Sequence, residues 1–81
     1  MFRAEAIKEL IETALTDCTA QVFDDANDGE HFRAEVVAAE FEGLSLVKQH
    51  QLVYGALGHH MKSDIHALAL RTFTPTKWEN R

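Results

Sequence analysis

The sequence predicts an α+β fold whose elements run α-β-β-α-β-α, and three observations carry that reading. Apolar residues recur at helical spacing between residues 3 and 15. Two stretches, Cys18 to Phe23 and Phe32 to Ala38, alternate on either side of a polar, turn-forming loop. A third alternating stretch, Ile65 to Thr72, returns after a helix that Ser45 can start and Gly58 can end. A hairpin joined to a third strand through a crossover helix gives a three-stranded mixed sheet with helices packed on one face. The 81 residues hold one domain, spanning 1–81, at a size where a single core supplies only about 3–5 kcal/mol.

In the first helix Ile7, Leu10, Ile11, Ala14 and Leu15 form an apolar stripe, and Glu5, Lys8, Glu9 and Glu12 occupy the other side. Pairs among those charges, Lys8 with Glu12 included, read as surface pairs of small energetic weight. In the first strand Cys18, Ala20 and Val22 alternate against Thr19, Gln21 and Phe23. Cys18 is the only cysteine, which rules out an internal disulfide, and a free cysteine at such a place reads as a small buried hydrophobe. The acidic run from Asp24 to Glu30 is longer than a tight hairpin turn needs, which favours a functional loop. It lacks the twelve-residue, helix-flanked pattern with a terminal Glu that a calcium loop requires.

The second helix should begin after Ser45, whose hydroxyl can accept a backbone N–H bond. Apolar residues follow at Val47, Val53, Tyr54 and Leu57. Gly58 suits a left-handed cap, and the polar run His59 to Asp64 reads as a turn. In the third strand Ile65, Ala67 and Ala69 face one way, and His66, Leu68, Leu70 and Thr72 the other. Thr74 and Pro75 fit the N-cap and first position of a short final helix carrying Trp78.

Composition bounds the function. Hydrophobic residues at 46% with 26% charged residues describe a folded domain. No apolar run approaches the roughly 20 residues of a membrane span, and the N-terminus lacks a signal peptide's apolar region, so a cytoplasmic location without membrane association is expected. No nucleophile elbow, phosphate-binding glycine loop or carboxylate paired with a base is present, and the chain reads as a non-enzyme. Charge is uneven: residues 1–43 carry net −8 and residues 44–81 net +3. Lys48, Lys62 and Arg71, with Lys77, are the candidate phosphate contacts if DNA is a partner. Gly55-Ala-Leu-Gly58 matches the G-x-x-G of KH domains, but the six residues before the next strand leave little room for a second helix, and Ala56 and Leu57 bring no charge. Gly55 then reads as a helix glycine and Gly58 as a cap. Among the five histidines, His50, His59 and His60 read as packing, surface or helix-end residues, whereas His31 closes the hairpin loop and His66 opens a strand.

Three segments together, F-x-G-x-S-L-V (Phe41, Gly43, Ser45, Leu46, Val47), H-x-L-V-Y (His50, Leu52, Val53, Tyr54) and I-H-A-L (Ile65 to Leu68), resemble the BolA family in order and spacing. The T-P-x-x-W tail (Thr74, Pro75, Trp78) also fits, and Gly-Glu-His-Phe at 29–32 looks most like the acid-response IbaG branch. The resemblance implies a BolA fold, similar to a type II KH domain. It further implies pairing with a monothiol glutaredoxin and a shared [2Fe–2S] cluster, to which the glutaredoxin brings its cysteine and a glutathione thiolate. On this chain the implied iron ligands are His66, from I-H-A-L, and His31, from the hairpin loop, where no cysteine stands between 24 and 32. By the same resemblance the chain assembles, carries or senses clusters, with transcriptional regulation through DNA as the alternative. The isolated protein is expected to hold no tightly bound cofactor and to be a monomer or weak dimer.

Overall fold

A computed structural model describes residues 2–65 and 67–81. Its elements are α1 (Ala4–Ala14), β1 (Cys18–Phe23), β2 (His31–Ala38), a 3-10 turn (Ala39–Phe41), α2 (Leu46–Leu57), α3 (His60–Ser63), β3 (Ala67–Phe73) and α4 (Pro75–Glu79). The sheet has the order β1-β2-β3. β1 runs antiparallel to β2, with Cys18 opposite Ala38, and β2 runs parallel to β3, with His31 opposite Ala67 and Val37 opposite Phe73. This is the expected α+β architecture with a mixed three-stranded sheet.

Strand parity sorts the side chains. Ala20, Phe32, Ala34, Val36 and Ala38 are buried on one face, with Leu68, Leu70 and Thr72 half-buried beside them. Ile7, Ile11 and Leu15 from the α1 segment and Val53 and Leu57 from α2 close over that face. The opposite parity carries Thr19, Gln21, Glu35 and Val37, and Trp78 of α4 lines a cavity of about 130 Å³ with those four. Trp78 also meets Phe73 edge-on at 5.0 Å between centroids. Helix packing on one face thus describes α1 and α2, and the tail helix adds its tryptophan to the other.

The F-x-G-x-S segment is a structural hinge into α2. Phe41 is fully buried, Gly43 takes φ +78°, and the Ser45 hydroxyl accepts from the Lys48 N–H at 3.3 Å. A residue with a Cβ would be strained at Gly43. Gln49 then ties the start of α2 to β3: its Nε2 donates to the Leu44 carbonyl at 2.9 Å and its Oε1 accepts from the Thr72 hydroxyl at 2.7 Å. The Thr74 hydroxyl caps α4 by accepting from Lys77 N–H at 3.2 Å, with Pro75 in the first turn.

Three expectations are corrected. The run after Gly58 is not only a turn but holds α3, so the residues following the G-x-x-G do accommodate a second, four-residue helix. Its backbone bonds start at Met61 N–H to Gly58 O, and the His60 ring pairs with the Asp64 carboxylate one turn on. With Met61 its one large apolar residue, α3 has no periodic stripe for a sequence reading to find. Val47 and Tyr54, expected in the apolar stripe of α2, are 66% and 38% exposed, because the buried face runs through Val53 and Leu57. Lys8 and Glu12 do more than pair on the surface. Glu12 Oε2 accepts from Ala20 N–H at 2.9 Å and from Lys8 Nζ at 2.7 Å, and Lys8 Nζ donates to the Ala20 carbonyl at 2.7 Å. At Ala20, midway along the outer edge of β1, two side chains therefore stand in for a neighbouring strand. Among the described residues no helix is long and apolar enough to cross a membrane.

Candidate functional site

The acidic hairpin loop is a hydrogen-bonded scaffold with His31 at its end. Asp24 turns its carboxylate inward, accepting from Asp28 N–H at 3.2 Å and Gly29 N–H at 2.9 Å. Asn27 and Gly29 take left-handed φ values of 55° and 69°, which polar asparagine and glycine tolerate best. Asp28 then accepts through Oδ1 from the N–H groups of Glu30 at 2.9 Å and His31 at 3.1 Å, and through Oδ2 meets His31 Nδ1 at 2.8 Å. These contacts, led by the Glu30 and His31 backbone donors, hold the Asp28 carboxyl down at about 2. Asp28 is therefore an anion at neutral pH, able only to accept, so Nδ1 of His31 must carry the proton of that contact. The lone pair of the neutral ring then resides on Nε2.

Metal-binding histidines recurrently share this arrangement: the remote ring nitrogen donates to a carboxylate, which fixes the tautomer and raises the basicity of the other nitrogen. His31 is about half exposed, so its ring is reachable from outside the fold. On donor chemistry His31 fits a place on an iron of a cluster. The other expected ligand, His66, lies outside the described residues. Its chain neighbour Ala67 is the register partner of His31, and Ala67 N–H donates to the Glu30 carbonyl at 3.0 Å, so the start of β3 and the end of the loop share one end of the sheet. Among the described residues no group of three or more His, Cys, Asp or Glu is gathered for a metal ion.

The same end of the molecule holds a second histidine–carboxylate pair that the sequence reading did not single out. His60 Nδ1 meets Asp64 Oδ2 at 2.6 Å, Phe2 stacks on His60 at 4.9 Å, and His59 lies 4.2 Å from the His60 ring. Phe2 N–H also donates to the Gly29 carbonyl at 3.3 Å, which links the N-terminal arm to the hairpin loop. The available sequence signals were the spacings Asp28-x-x-His31 and His60-x-x-x-Asp64, too short and too common to interpret without the turn and the helix that bring each pair together. His50 stands apart on α2, edge-on to Tyr54, with its Nε2 buried and lacking a hydrogen-bond partner among the described residues.

The candidate phosphate contacts are not gathered. Lys48 sits in the first turn of α2, and Lys62 lies beyond that helix in α3, past roughly 14 Å of helix rise. Arg71 projects from the sheet with its guanidinium 3.9 Å from Glu35 and 5.3 Å from the centre of the Phe73 ring. Gly55 lies inside α2, and Gly58 caps it at φ +54°. Cys18 is half-buried, and its thiol is pushed up to about 11, first by burial and then by the charges of Glu12 and Glu40. A thiol so shifted is neutral and inert at physiological pH.

Residues 7–77 match the family described as BolA-like protein. The chain is 45% identical over 49 residues to BolA-like protein 1 of Bos taurus, an alignment covering 60% of this chain and 36% of that protein. It is 41% identical over 49 residues to the DNA-binding transcriptional regulator BolA of Haemophilus influenzae (60% and 48% covered), and 39% identical over 54 residues to the acid stress protein IbaG of Escherichia coli (65% and 64% covered). The chain thus spans about a third to two thirds of the length of these curated relatives. The structure of a bolA protein homologue from Coxiella burnetii superposes with a TM-score of 0.84 at 45% identity, covering 98% of this chain and 99% of that one.

Proposed function

The chain belongs to the BolA-like protein family, and on that footing we propose that it is an iron–sulfur adaptor, acting in the cytoplasm by pairing with a monothiol glutaredoxin and sharing a [2Fe–2S] cluster with it. The cluster is cargo held jointly: His31 and His66 supply imidazole from this side, and the glutaredoxin and glutathione supply thiolates. A neutral imidazole in place of an anionic thiolate lowers the cluster's net charge and raises its reduction potential. The observation that carries the reading is the Asp28–His31 contact at 2.8 Å, with Asp28 also anchored on two backbone N–H groups. Asp28 keeps the His31 proton on Nδ1, the loop fixes the ring's position, and Phe2 holds the loop through Gly29. Anaerobic pull-down with the tagged protein, followed by iron and acid-labile sulfide analysis, tests the proposal. Recovery of a glutaredoxin with iron and sulfide supports it, and recovery without either counts against it.

A second reading, DNA-binding regulation, is supported by the name of the Haemophilus influenzae relative. Against it stand the net charge of −5 and the separation of Lys48, Lys62 and Arg71. A duplex-binding titration decides: real contacts give a log–log salt dependence of about −0.9 per phosphate neutralised, and no binding at low salt removes the reading.

A further inference from the structure

We propose that the groove between α2 and the outer edge of β3 takes an extended acidic segment of a partner protein as a fourth strand. β3 ends the sheet. Ala67 N–H donates inward to the Glu30 carbonyl, which sets the phase of the parallel ladder: the backbone groups of Ala67, Ala69, Arg71 and Phe73 face β2, and those of Leu68, Leu70 and Thr72 face outward. The two edges of the sheet differ. At β1 the outward N–H and C=O of Ala20 are occupied by Glu12 and Lys8. At β3, among the described residues, no side chain or backbone group serves the outward positions. Such a row of donors and acceptors is what strand addition uses.

The groove beside this edge, about 200 Å³, is lined by Leu46, His50, Leu70, Arg71, Thr72 and Phe73. Leu46 shares a helix face with the buried Val53 and Leu57, at i, i+7 and i+11, yet it is 61% exposed. The core-facing stripe of α2 runs one turn beyond the structure that covers it. His50 adds an unmet polar demand in the same wall, its Nε2 being buried without a hydrogen-bond partner among the described residues. Arg71 is the one charged lining residue, and its nearest carboxylate, Glu35, is 3.9 Å away, beyond a hydrogen bond. Alternating apolar and acidic side chains on an added strand match this surface, with the apolar ones over Leu46 and Leu70 and an acidic one at Arg71. A nucleic acid would meet a single cation there, too few for a phosphate backbone. The groove lies roughly 10–20 Å along β3 from Ala67 and His31. It goes beyond the adaptor reading and needs no cluster.

The test titrates ¹⁵N-labelled protein, without glutaredoxin or iron, with a capped synthetic peptide alternating valine and glutamate. The expected result is shifts centred on Leu70 to Phe73, with slowed exchange of the outward Leu70 and Thr72 amides. Binding should vanish when alternate peptide nitrogens are methylated. Leu46→Asp, at an exposed site that leaves the core intact, should weaken it about tenfold, and Arg71→Ala roughly threefold. Equal binding of the methylated peptide, shifts away from β3, no shifts at all, or the same shifts produced by an oligothymidine and not by the peptide would each overturn the proposal. The measurement is made without cluster, so its failure leaves the adaptor reading standing, and failure to bind a glutaredoxin leaves this one standing.

Discussion

Removing the Glu12 carboxylate should open the β1 edge and lower stability by a predictable amount. Glu12 accepts from Ala20 N–H at 2.9 Å and from Lys8 Nζ at 2.7 Å. A hydrogen bond to a charged group contributes about 1.5–3 kcal/mol when well desolvated. The Lys8 and Glu12 side chains are 45% and 31% exposed, so screening brings the pair and its backbone contact to about 1–2 kcal/mol. Glu12→Ala should then cost about 2 kcal/mol, and Glu12→Gln, which keeps an acceptor but loses the charge, about 1 kcal/mol. With a urea m-value of about 1 kcal/mol/M for so small a domain, the midpoints fall by about 2 M and 1 M. The pH dependence follows from the sign of the shift. The Glu12 carboxyl is held below its ordinary 4.5, chiefly by the Ala20 backbone and then by Lys8, so its contribution is present above 4.5 and is lost as pH falls through the folded-state value. Urea denaturation followed by far-UV circular dichroism should therefore show wild type and Glu12→Gln separated at pH 7, with the gap narrowing as pH falls below 4.5. Equal midpoints at pH 7, or a gap unchanged in acid, would refute the closure of this edge by Glu12.

Four further outcomes are expected. Phe41→Ala removes a fully buried ring from the α2 hinge, at a cost of about 3–5 kcal/mol that matches the whole stability of a domain this size, so the variant should be unfolded by near-UV circular dichroism at 25 °C. Ser45→Ala removes the cap on α2, whose bond to Lys48 N–H is long at 3.3 Å, and should lower stability by about 0.5–1 kcal/mol in thermal melts. Asp28, held at about 2, should keep the Glu30 and His31 amides bonded through mild acid. The Glu30 amide shift should follow this carboxylate with a midpoint near pH 2, and a transition nearer pH 4, the ordinary aspartate range, would contradict the loop scaffold. Cys18, pushed up to about 11, should alkylate with iodoacetamide at pH 8 roughly a hundredfold more slowly than an ordinary thiol, and rapid labelling would show the site to be open.

The fold was legible because its signals are periodic. The alternations at Cys18 to Phe23 and Phe32 to Ala38, the Ser45 and Thr74 caps, and Gly58 each gave an element close to its observed bounds. What escaped was set by contacts distant in sequence or by segments without a repeat. α3 follows from Gly58 and the His60–Asp64 pair rather than from an apolar stripe. The edge closure by Lys8 and Glu12 depends on where Ala20 falls beneath α1, which spacing within a helix cannot show. Val47 and Tyr54 read as core because α2 has more apolar positions than one face can bury. At the candidate site the sequence singled out His31 by its place after the loop, but the part played by Asp28 depends on the left-handed turns at Asn27 and Gly29 that fold it back.

The central claim is imidazole ligation of a shared cluster, and nitrogen hyperfine spectroscopy reaches it most directly. This protein, labelled with ¹⁵N-histidine, would be mixed anaerobically with a monothiol glutaredoxin, glutathione, iron and sulfide, and the loaded complex reduced and examined by pulsed electron–nuclear double resonance. Two ¹⁵N couplings from this chain are predicted, one lost in His31→Ala and the other in His66→Ala, with the hairpin loop's amide shifts otherwise retained. A loaded, reduced complex with no histidine nitrogen coupling, or couplings that survive both substitutions, would contradict it.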